Sequence, residues 1–460
     1  MKHKNTLCIA EWQSFGAEDI CEVLRNCQST KTNEDLKNQA QKIFNDFVEF
    51  AHSEGNHIFL KFVGKRLKAQ NYVGLLQSKS GFCIEILPKT FRTAKENEGF
   101  ESQNVKDKKE AIESAKNTLF KMLKSLKDSP FKHNNFADLK LAKMPLLEIF
   151  ILMFLNELER LIKNGLKNDY IVREENRNFL KGKLLFNQNL KCNFVHKERF
   201  FTSSDEFIPD SPPNRLIKST LELLSKMNLS TKTSVKLLQM RFVFADIPTS
   251  QNIDKDLNTI QNLRFLKTYE LVLQWCAIFL KRKTFTPYKA DSRAFALLFD
   301  MNKLFESFVV SEMRKYLNTM QMSDDKNKGF MQNIFNNTQS QYFIKAQEKS
   351  KYLAITKEKN IFQLKPDIVG YEDSRYNFIA DTKWKILSQK EQNDGISQND
   401  LYQIFAYLAK YQCKGGFLIY PKIKDSNQEE QKEFTFKAQM VKEDSQNIKT
   451  KVTICFFDVS

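Results

Sequence analysis

The sequence predicts an α+β chain of several domains: a small N-terminal β-rich module, a helical middle region and a C-terminal α/β domain. Three observations predict it. The chain has 460 residues, enough for two or three hydrophobic cores. Short runs rich in β-branched and aromatic residues, bounded by turn residues, cluster near the N-terminus and again after residue 360. Between them apolar residues recur at helical spacing. The expected divisions are 1–120, 121–289 and 290–460.

Along the chain, residues 58–63, 72–76 and 82–86 read as strands, with Gly64 and residues 78–81 as turns. Residues 18–54 look helical. Residues 90–116 are charged and read as a surface insertion. Helical spacing runs through 111–167. Its most apolar window, 146–155, is interrupted by Glu148 and is too short to span a bilayer, so it reads as a buried helix. Asp210-Ser211-Pro212-Pro213-Asn214 breaks the chain. A helix then carries Leu216, Ile217, Leu221, Leu223 and Leu224, with Pro213 near its start. More helices are expected over 257–281.

The chemistry concentrates between Leu364 and Tyr407. Two β-rich runs flank a polar break, a hairpin signal. Asp367 and Asp381 are equidistant from Ser374, so a hairpin folded there sets them opposite each other. Strand side chains alternate faces, which places Lys383, and then Lys385, on the side of Asp381. Two carboxylates suit Mg²⁺, a hard cation that takes oxygen ligands, and a lysine beside them can steady a phosphate. The triplet Asp-x-Lys alone carries little, since it recurs at Asp35-Leu36-Lys37 and Asp138-Leu139-Lys140. However, Ile379-Ala380 lead into Asp381, so the charge ends a core strand, where it is costly unless used. Residues 397–408 then read as an amphipathic helix. Leu401, Ile404, Phe405 and Leu408 form its apolar stripe, and Asp400, Gln403 and Tyr407 lie on a polar face.

Pro366-Asp367, then Asp381-Thr382-Lys383, then a helix with Gln403 and Tyr407 resembles the PD-(D/E)xK nuclease superfamily and its Gln-x-x-x-Tyr element. Glu306, on a preceding helix, matches the acidic first-helix position of that fold. The resemblance extends further. Phe179-Leu180-Lys181-Gly182-Lys183-Leu184-Leu185-Phe186 resembles a basic-Gly-basic strand, followed by Asp205-Glu206-Phe207-Ile208-Pro209-Asp210-Ser211-Pro212-Pro213-Asn214. With Gly415-Gly416-Phe417-Leu418-Ile419-Tyr420-Pro421, Asn71-Tyr72-Val73-Gly74 and Ile84-Glu85-Ile86-Leu87-Pro88-Lys89, the chain is similar to the McrC family, nuclease subunits of McrBC 5-methylcytosine restriction systems.

The resemblance implies a Mg²⁺-dependent endonuclease domain over 290–460, with Mn²⁺ as a substitute. Asp367, Asp381 and the Thr382 carbonyl would hold the metal, Lys383 and Gln403 would serve catalysis, and Glu306, Tyr407 and Lys385 would support it. It implies an McrB-like AAA+ GTPase ring as partner and double-stranded, methylcytosine-bearing DNA as substrate, with base recognition on the partner. The N-terminal region would dock into the ring, and Lys61, Lys65, Arg66 and Lys68, clustered near one end of it, are the docking candidates. Deleting residues 1–115 is then expected to leave the nuclease domain folded. Residues 18–54 and 90–116 fit nothing in the family pattern.

Composition narrows the alternatives. The net charge of +17 suits a polyanionic partner, although a general bias toward Lys, Asn, Phe and Ile accounts for part of it. No Gly-x-x-x-x-Gly-Lys-Ser/Thr motif occurs, so no nucleotide is expected on this chain alone. The eight cysteines form no Cys-x-x-Cys and the five histidines show no ligand spacing, which suits reduced thiols in a cytoplasmic protein. No signal peptide is visible and no membrane partner is expected. The competing readings are a stand-alone nuclease of the RecB or Cas4 type and a non-catalytic DNA-binding assembly factor.

Overall fold

In the computed structural model the described residues are 5–27, 32–53, 55–91, 105–126, 130–131, 144–261, 268–281, 295–319, 327–335, 342–356, 359–372, 375–388, 391–413, 415–422, 431–435, 442–443, 446–447 and 451–459. They form two compact units. One gathers residues 1–78, 82–143 and 298–460, and the other holds 144–297 with 79–81.

The first unit opens with β1 (Thr6–Ala10) and β2 (Ser14–Phe15), then α1 (Ala17–Cys27) and α2 (Asn33–His52). Thr32 caps α2 by accepting from the Asp35 N–H. A hairpin, β3 (Leu60–Val63) and β4 (Arg66–Ala69), turns at Gly64 with φ +61° and pairs with β2. Then come β5 (Tyr72–Gln77) and β6 (Cys83–Leu87), and β6 runs parallel to β1. The core here is aromatic: Phe15 meets Phe44 and Phe47 edge to face. α3 (Val105–Ser125) is tied to β6 by a fully buried ion pair, Lys116 Nζ to Glu85 Oε2 at 2.8 Å. Of the segment read as an insertion, 90–116, residues 92–104 lie outside the described residues, and 105–116 form the first turns of α3.

The second unit begins with α4 (Leu146–Lys163), the buried apolar helix. The sequence suggested a mainly helical region with one strand-like segment, 179–186. A three-stranded antiparallel sheet stands in it, built from β7 (Asp169–Arg177), β8 (Lys183–Leu184) and β9 (Phe200–Ile208), with α5 (Phe186–Asn193) between the last two. The sequence of β7 does not alternate, and two of its apolar side chains are exposed: Tyr170 is 75% and Val172 63% accessible. The basic-Gly-basic segment yields only the two residues of β8, after Gly182 at φ +76°. Helices follow: α6 (Pro212–Ser225), α7 (Thr231–Val243), α8 (Ile253–Gln261) and α9 (Glu270–Lys281). The Pro-Pro-Asn break is structural. Pro212 and Pro213 open α6, and buried Asn214 donates to the Lys167 and Pro209 carbonyls while accepting from the Tyr269 hydroxyl.

The chain re-enters the first unit along β10 (Phe295–Asp300), which completes a sheet of order β1-β6-β5-β10. α10 (Met301–Thr319) and α11 (Lys328–Phe335) follow. The remaining strands are β11 (Tyr342–Ala346), the hairpin β12 (Tyr352–Thr356) and β13 (Lys359–Gln363), β14 (Ile368–Glu372) and β15 (Arg375–Thr382). Then come α12 (Gln398–Tyr411), β16 (Gly415–Lys422), β17 (Gln431–Thr435), the short pair β18 (Lys442–Glu443) and β19 (Gln446–Asn447), and β20 (Lys451–Asp458). A mixed sheet of order β11-β14-β15-β16-β20-β17 results. β15, β16 and β20 are parallel, and α12 makes the crossover from β15 to β16. Gly416 lets α12 lie close, since a Cβ there would stand 2.9 Å from Leu408 Cδ1.

Residues 1–115 were expected to form a module separate from this sheet. They share one compact unit with it. The Asn71 carbonyl accepts from the Met301 N–H at 3.1 Å, where α10 begins. Glu11 and Lys89 bond directly to Trp384. No described helix is long and apolar enough to cross a membrane.

Candidate active site

β14 and β15 pair antiparallel in the register Ile368↔Ala380, Val369↔Ile379 and Gly370↔Phe378. Continuing that register by one residue sets Asp367 opposite Asp381. The pairing slips between Gly370 and Tyr371, so the symmetry about Ser374 does not extend to the hairpin tip; Ser374 itself lies outside the described residues. Asp381 sits in the sheet interior at 1% accessibility, next to Ala380 at 0%.

Asp367 Oδ2 accepts from the Thr382 backbone N–H at 2.8 Å and from its hydroxyl at 2.7 Å. Asp381 Oδ2 lies 2.7 Å from Lys383 Nζ. That ammonium also donates to Gln403 Oε1 at 2.8 Å and stands 3.6 Å from Asp400 Oδ1. Gln403 Nε2 donates to the Tyr407 hydroxyl at 2.8 Å, and Tyr407 donates to the Lys365 carbonyl at 3.1 Å. One turn of α12 separates Gln403 from Tyr407, so the two point the same way. Together they link the lysine to the residue just before Pro366-Asp367. Glu306 reaches in from α10. Its Oε2 accepts from Gln347 Nε2 at 3.2 Å, and the Gln347 N–H donates to the Asp367 carbonyl at 2.9 Å.

Negative charge is crowded here. Burial, and then the neighbouring Asp367 carboxylate, push Asp381 up from 3.8 to about 7. Burial and the same neighbour push Glu306 up to about 8. Burial also raises Asp367, against the pull of its two Thr382 hydrogen bonds. Burial works against the Lys383 ammonium, but Asp381, Asp400 and Asp367 hold its pKa above the ordinary value. Such a site favours an added cation. Among the described residues no three His, Cys, Asp or Glu side chains converge closely enough to hold an ion by themselves. Asp367, Asp381 and the Thr382 carbonyl are the groups that could hold one together with water. All are oxygen donors, in keeping with an ion that takes one or two carboxylates and keeps several waters.

The structure brings Asp367, Asp381, Thr382, Lys383, Gln403, Tyr407 and Glu306 together. It sets Lys385 elsewhere. β15 ends at Thr382, strand alternation stops with it, and Lys385 Nζ donates to the Gly395 carbonyl. The N-terminal basic residues divide. Lys61 and Lys65 are exposed. Arg66 folds back onto Asp19 at 2.6 Å and the Ser14 carbonyl at 3.3 Å. Lys68 Nζ lies 5.9 Å from the Trp12 ring centroid. Sequence reasoning missed Asp400 as a partner of Lys383, although its spacing to Gln403 signalled a shared face. Nothing in the sequence marked Gln347, which depends on β11 folding beside β14.

A family model, McrBC 5-methylcytosine restriction system component, matches residues 67–421. This chain belongs to the McrBC restriction component family. No curated protein matches this McrBC-family chain. Its fold is similar to a chain in the refined half-complex from the tetradecameric assembly of Thermococcus gammatolerans McrB AAA+ hexamers with bound McrC. The match covers 98% of this chain and 94% of that one, at 16% identity and TM-score 0.60. A chain in the cryo-EM structure of the Thermococcus gammatolerans McrBC complex aligns over 72% of this chain and 100% of its own, at 16% identity and TM-score 0.46.

Proposed function

We propose that this McrBC-family chain is the endonuclease subunit of its restriction complex, a Mg²⁺-dependent phosphodiester hydrolase of the PD-(D/E)xK type. The observation that carries this reading is the convergence of Asp367, Asp381 and Lys383, at the ends of two paired strands, with Gln403 on one helix. When bound, Mg²⁺ would neutralise phosphate charge and make a coordinated water a better nucleophile. Asp367, Asp381 and the Thr382 carbonyl would hold it. Thr382 fixes the Asp367 rotamer through two hydrogen bonds. Lys383, kept charged by its acidic neighbours, orients the attacking water or offsets charge building on the phosphate. Gln403 fixes the ammonium, and Tyr407 fixes Gln403. Glu306, raised to about 8, holds a proton at neutral pH in the metal-free protein.

The partner in this reading is an McrB-like AAA+ GTPase ring, a reading supported by the Thermococcus assembly of McrB AAA+ hexamers with bound McrC, and the substrate is double-stranded DNA bearing methylcytosine, in the cytoplasm. Two surfaces suit the ring. One is the tip of the β3–β4 hairpin, with exposed Lys61, Lys65, Phe62 and Val63. The other is the β7–β9 sheet with α5, where Tyr170, Phe194 and Val195 are 75, 76 and 82% accessible, an apolar exposure that marks contact surfaces. Cleavage of methylated plasmid, with Mg²⁺ and GTP and with or without the GTPase ring, tests the proposal. Lys383→Ala should lose cleavage by orders of magnitude yet retain ring binding. Wild-type cleavage by Lys383→Ala would defeat the assignment. Cleavage without any ring would favour the stand-alone nuclease.

A further inference from the structure

Trp384 follows Lys383 directly and is 5% accessible. Its surroundings come from the far end of the chain. The indole N–H donates to Glu11 Oε1 at 2.5 Å, and the Trp384 carbonyl accepts from Lys89 Nζ at 2.5 Å. Lys89 also donates its backbone N–H to Glu11 Oε1 at 2.9 Å, and its ammonium lies 5.4 Å from the indole centroid. One carboxylate oxygen thus serves both partners. Phe305, the neighbour of Glu306, packs against the indole at 5.2 Å between ring centroids. Glu11 follows β1 and Lys89 lies just past β6, so the parallel β1–β6 pair presents the clamp.

Glu11 is 3% accessible, and its Oε2 has no hydrogen-bond partner among the described residues. Burial pushes its carboxyl up and the Lys89 ammonium down. Buried Glu11 and half-buried Lys89 are weak evidence for stability, because apolar replacements of buried charged groups are often neutral or better. What the pair does achieve is definite placement of Trp384. That placement acts on Lys383. The Lys383 N–H is fixed by the Ile419 carbonyl at 2.9 Å, and its carbonyl accepts from the Lys385 N–H at 2.8 Å. With the next residue clamped, the Lys383 backbone is held on both sides. Its side chain can then reach Asp381 and Gln403.

We propose that Glu11, Lys89 and Trp384 are positioning residues that set the Lys383 ammonium against Asp381, making the N-terminal sheet a working part of the nuclease site. This rests on the nuclease reading above. Displacing the N-terminal sheet would release Trp384 and, through it, Lys383.

The test compares Trp384→Phe, which keeps the ring but removes the donor, with Glu11→Ala and Glu11→Gln, all in the full chain. The first readout is the labelling rate of Lys383 by an amine-reactive ester, followed by peptide mass spectrometry on the chain alone. The second is DNA cleavage by the chain assembled with its GTPase ring, with kcat and KM separated. Trp384→Phe and Glu11→Ala are expected to speed Lys383 labelling. They should lower kcat by roughly 10–100-fold, the usual effect of removing an outer-layer partner, with KM unchanged. Glu11→Gln, which keeps an acceptor for both N–H groups, should recover most of the loss. Unchanged labelling in both disruptive variants overturns the proposal. Labelling reads the placement of Lys383 without any cleavage, so it decides the clamp even if Lys383→Ala cuts normally and the nuclease reading fails. If Trp384→Phe melts below the assay temperature, Lys89→Met takes its place under the same criteria.

Discussion

Replacing Asp381 by Asn should separate the stability of the protein from its activity. Without metal, the buried Asp381 carboxylate opposes folding at neutral pH. Its pKa rises from 3.8 to about 7 on folding. At roughly 1.4 kcal/mol per pH unit, this caps the penalty at about 4 kcal/mol. Lys383 loses a partner in the variant but keeps Gln403 and Asp400, so a net gain of about 1–2 kcal/mol is the reasonable magnitude. The sign with pH follows from proton binding. Below pH 3.8 both folded and unfolded states hold the proton, and no penalty exists. Between 3.8 and 7 the folded state holds it more tightly, so metal-free stability falls as pH rises. Above 7 the full penalty applies. Urea melts in EDTA at pH 5 and pH 7.5 should show wild type losing stability between the two, and Asp381→Asn losing less. Asp367 and Glu306 are raised as well, so some slope should remain. Adding Mg²⁺ at pH 7.5 should stabilise wild type by about 2.7 kcal/mol at a hundredfold excess over Kd and the variant far less. Cleavage should be lost in Asp381→Asn. A variant less stable than wild type in EDTA at pH 7.5 would refute the electrostatic reasoning. A variant that cuts DNA at the wild-type rate would refute the catalytic one.

Gln403→Ala should lower cleavage by roughly 10–100-fold, because it frees the Lys383 ammonium without removing it. Tyr407→Phe, one step further out, should cost less in the same assay. Gly370→Ala should destabilise the fold by about 1–3 kcal/mol in a urea melt, since a Cβ at 370 runs into the buried Phe378 ring on the paired strand. Deleting residues 1–115 should yield an insoluble or unfolded product by circular dichroism, since it strips β1 and β6 from a shared sheet and the Glu11 and Lys89 contacts from Trp384.

The candidate site was legible where its residues are close in sequence. Asp367, Asp381 and Lys383 lie in or within one residue of one hairpin, and period-2 alternation anticipates their common face; Lys383, the first residue past β15, is still held there by its N–H on the Ile419 carbonyl. Gln403 and Tyr407 needed only helical spacing on the next element. Lys385 shows where that logic stops: alternation predicts a face only while the strand lasts, and β15 ends at Thr382. The β7–β9 sheet was missed for a related reason. Tyr170, Val172 and Phe207 are exposed, so the pattern that marks a half-buried strand was absent from these segments.

The N-terminal region was misplaced for a deeper reason. Its strands are visible as strands, and nothing in their composition shows which sheet they join. Glu11 and Trp384 are 373 residues apart, Lys89 and Trp384 295. Contacts over such separations follow from the return of the chain along β10, beside β5 and directly ahead of the helix bearing Glu306. Once that strand completes the N-terminal sheet, α10 starts from a fixed point, with the Met301 N–H on the Asn71 carbonyl. Phe305 and Glu306 are then carried to the two sides of one problem: Phe305 packs on Trp384, and Glu306 bonds Gln347 beside Asp367. The N-terminal sheet therefore borders the site by two routes, through α10 and through the Glu11–Lys89 clamp. A boundary drawn between a docking module and a catalytic domain would cut both.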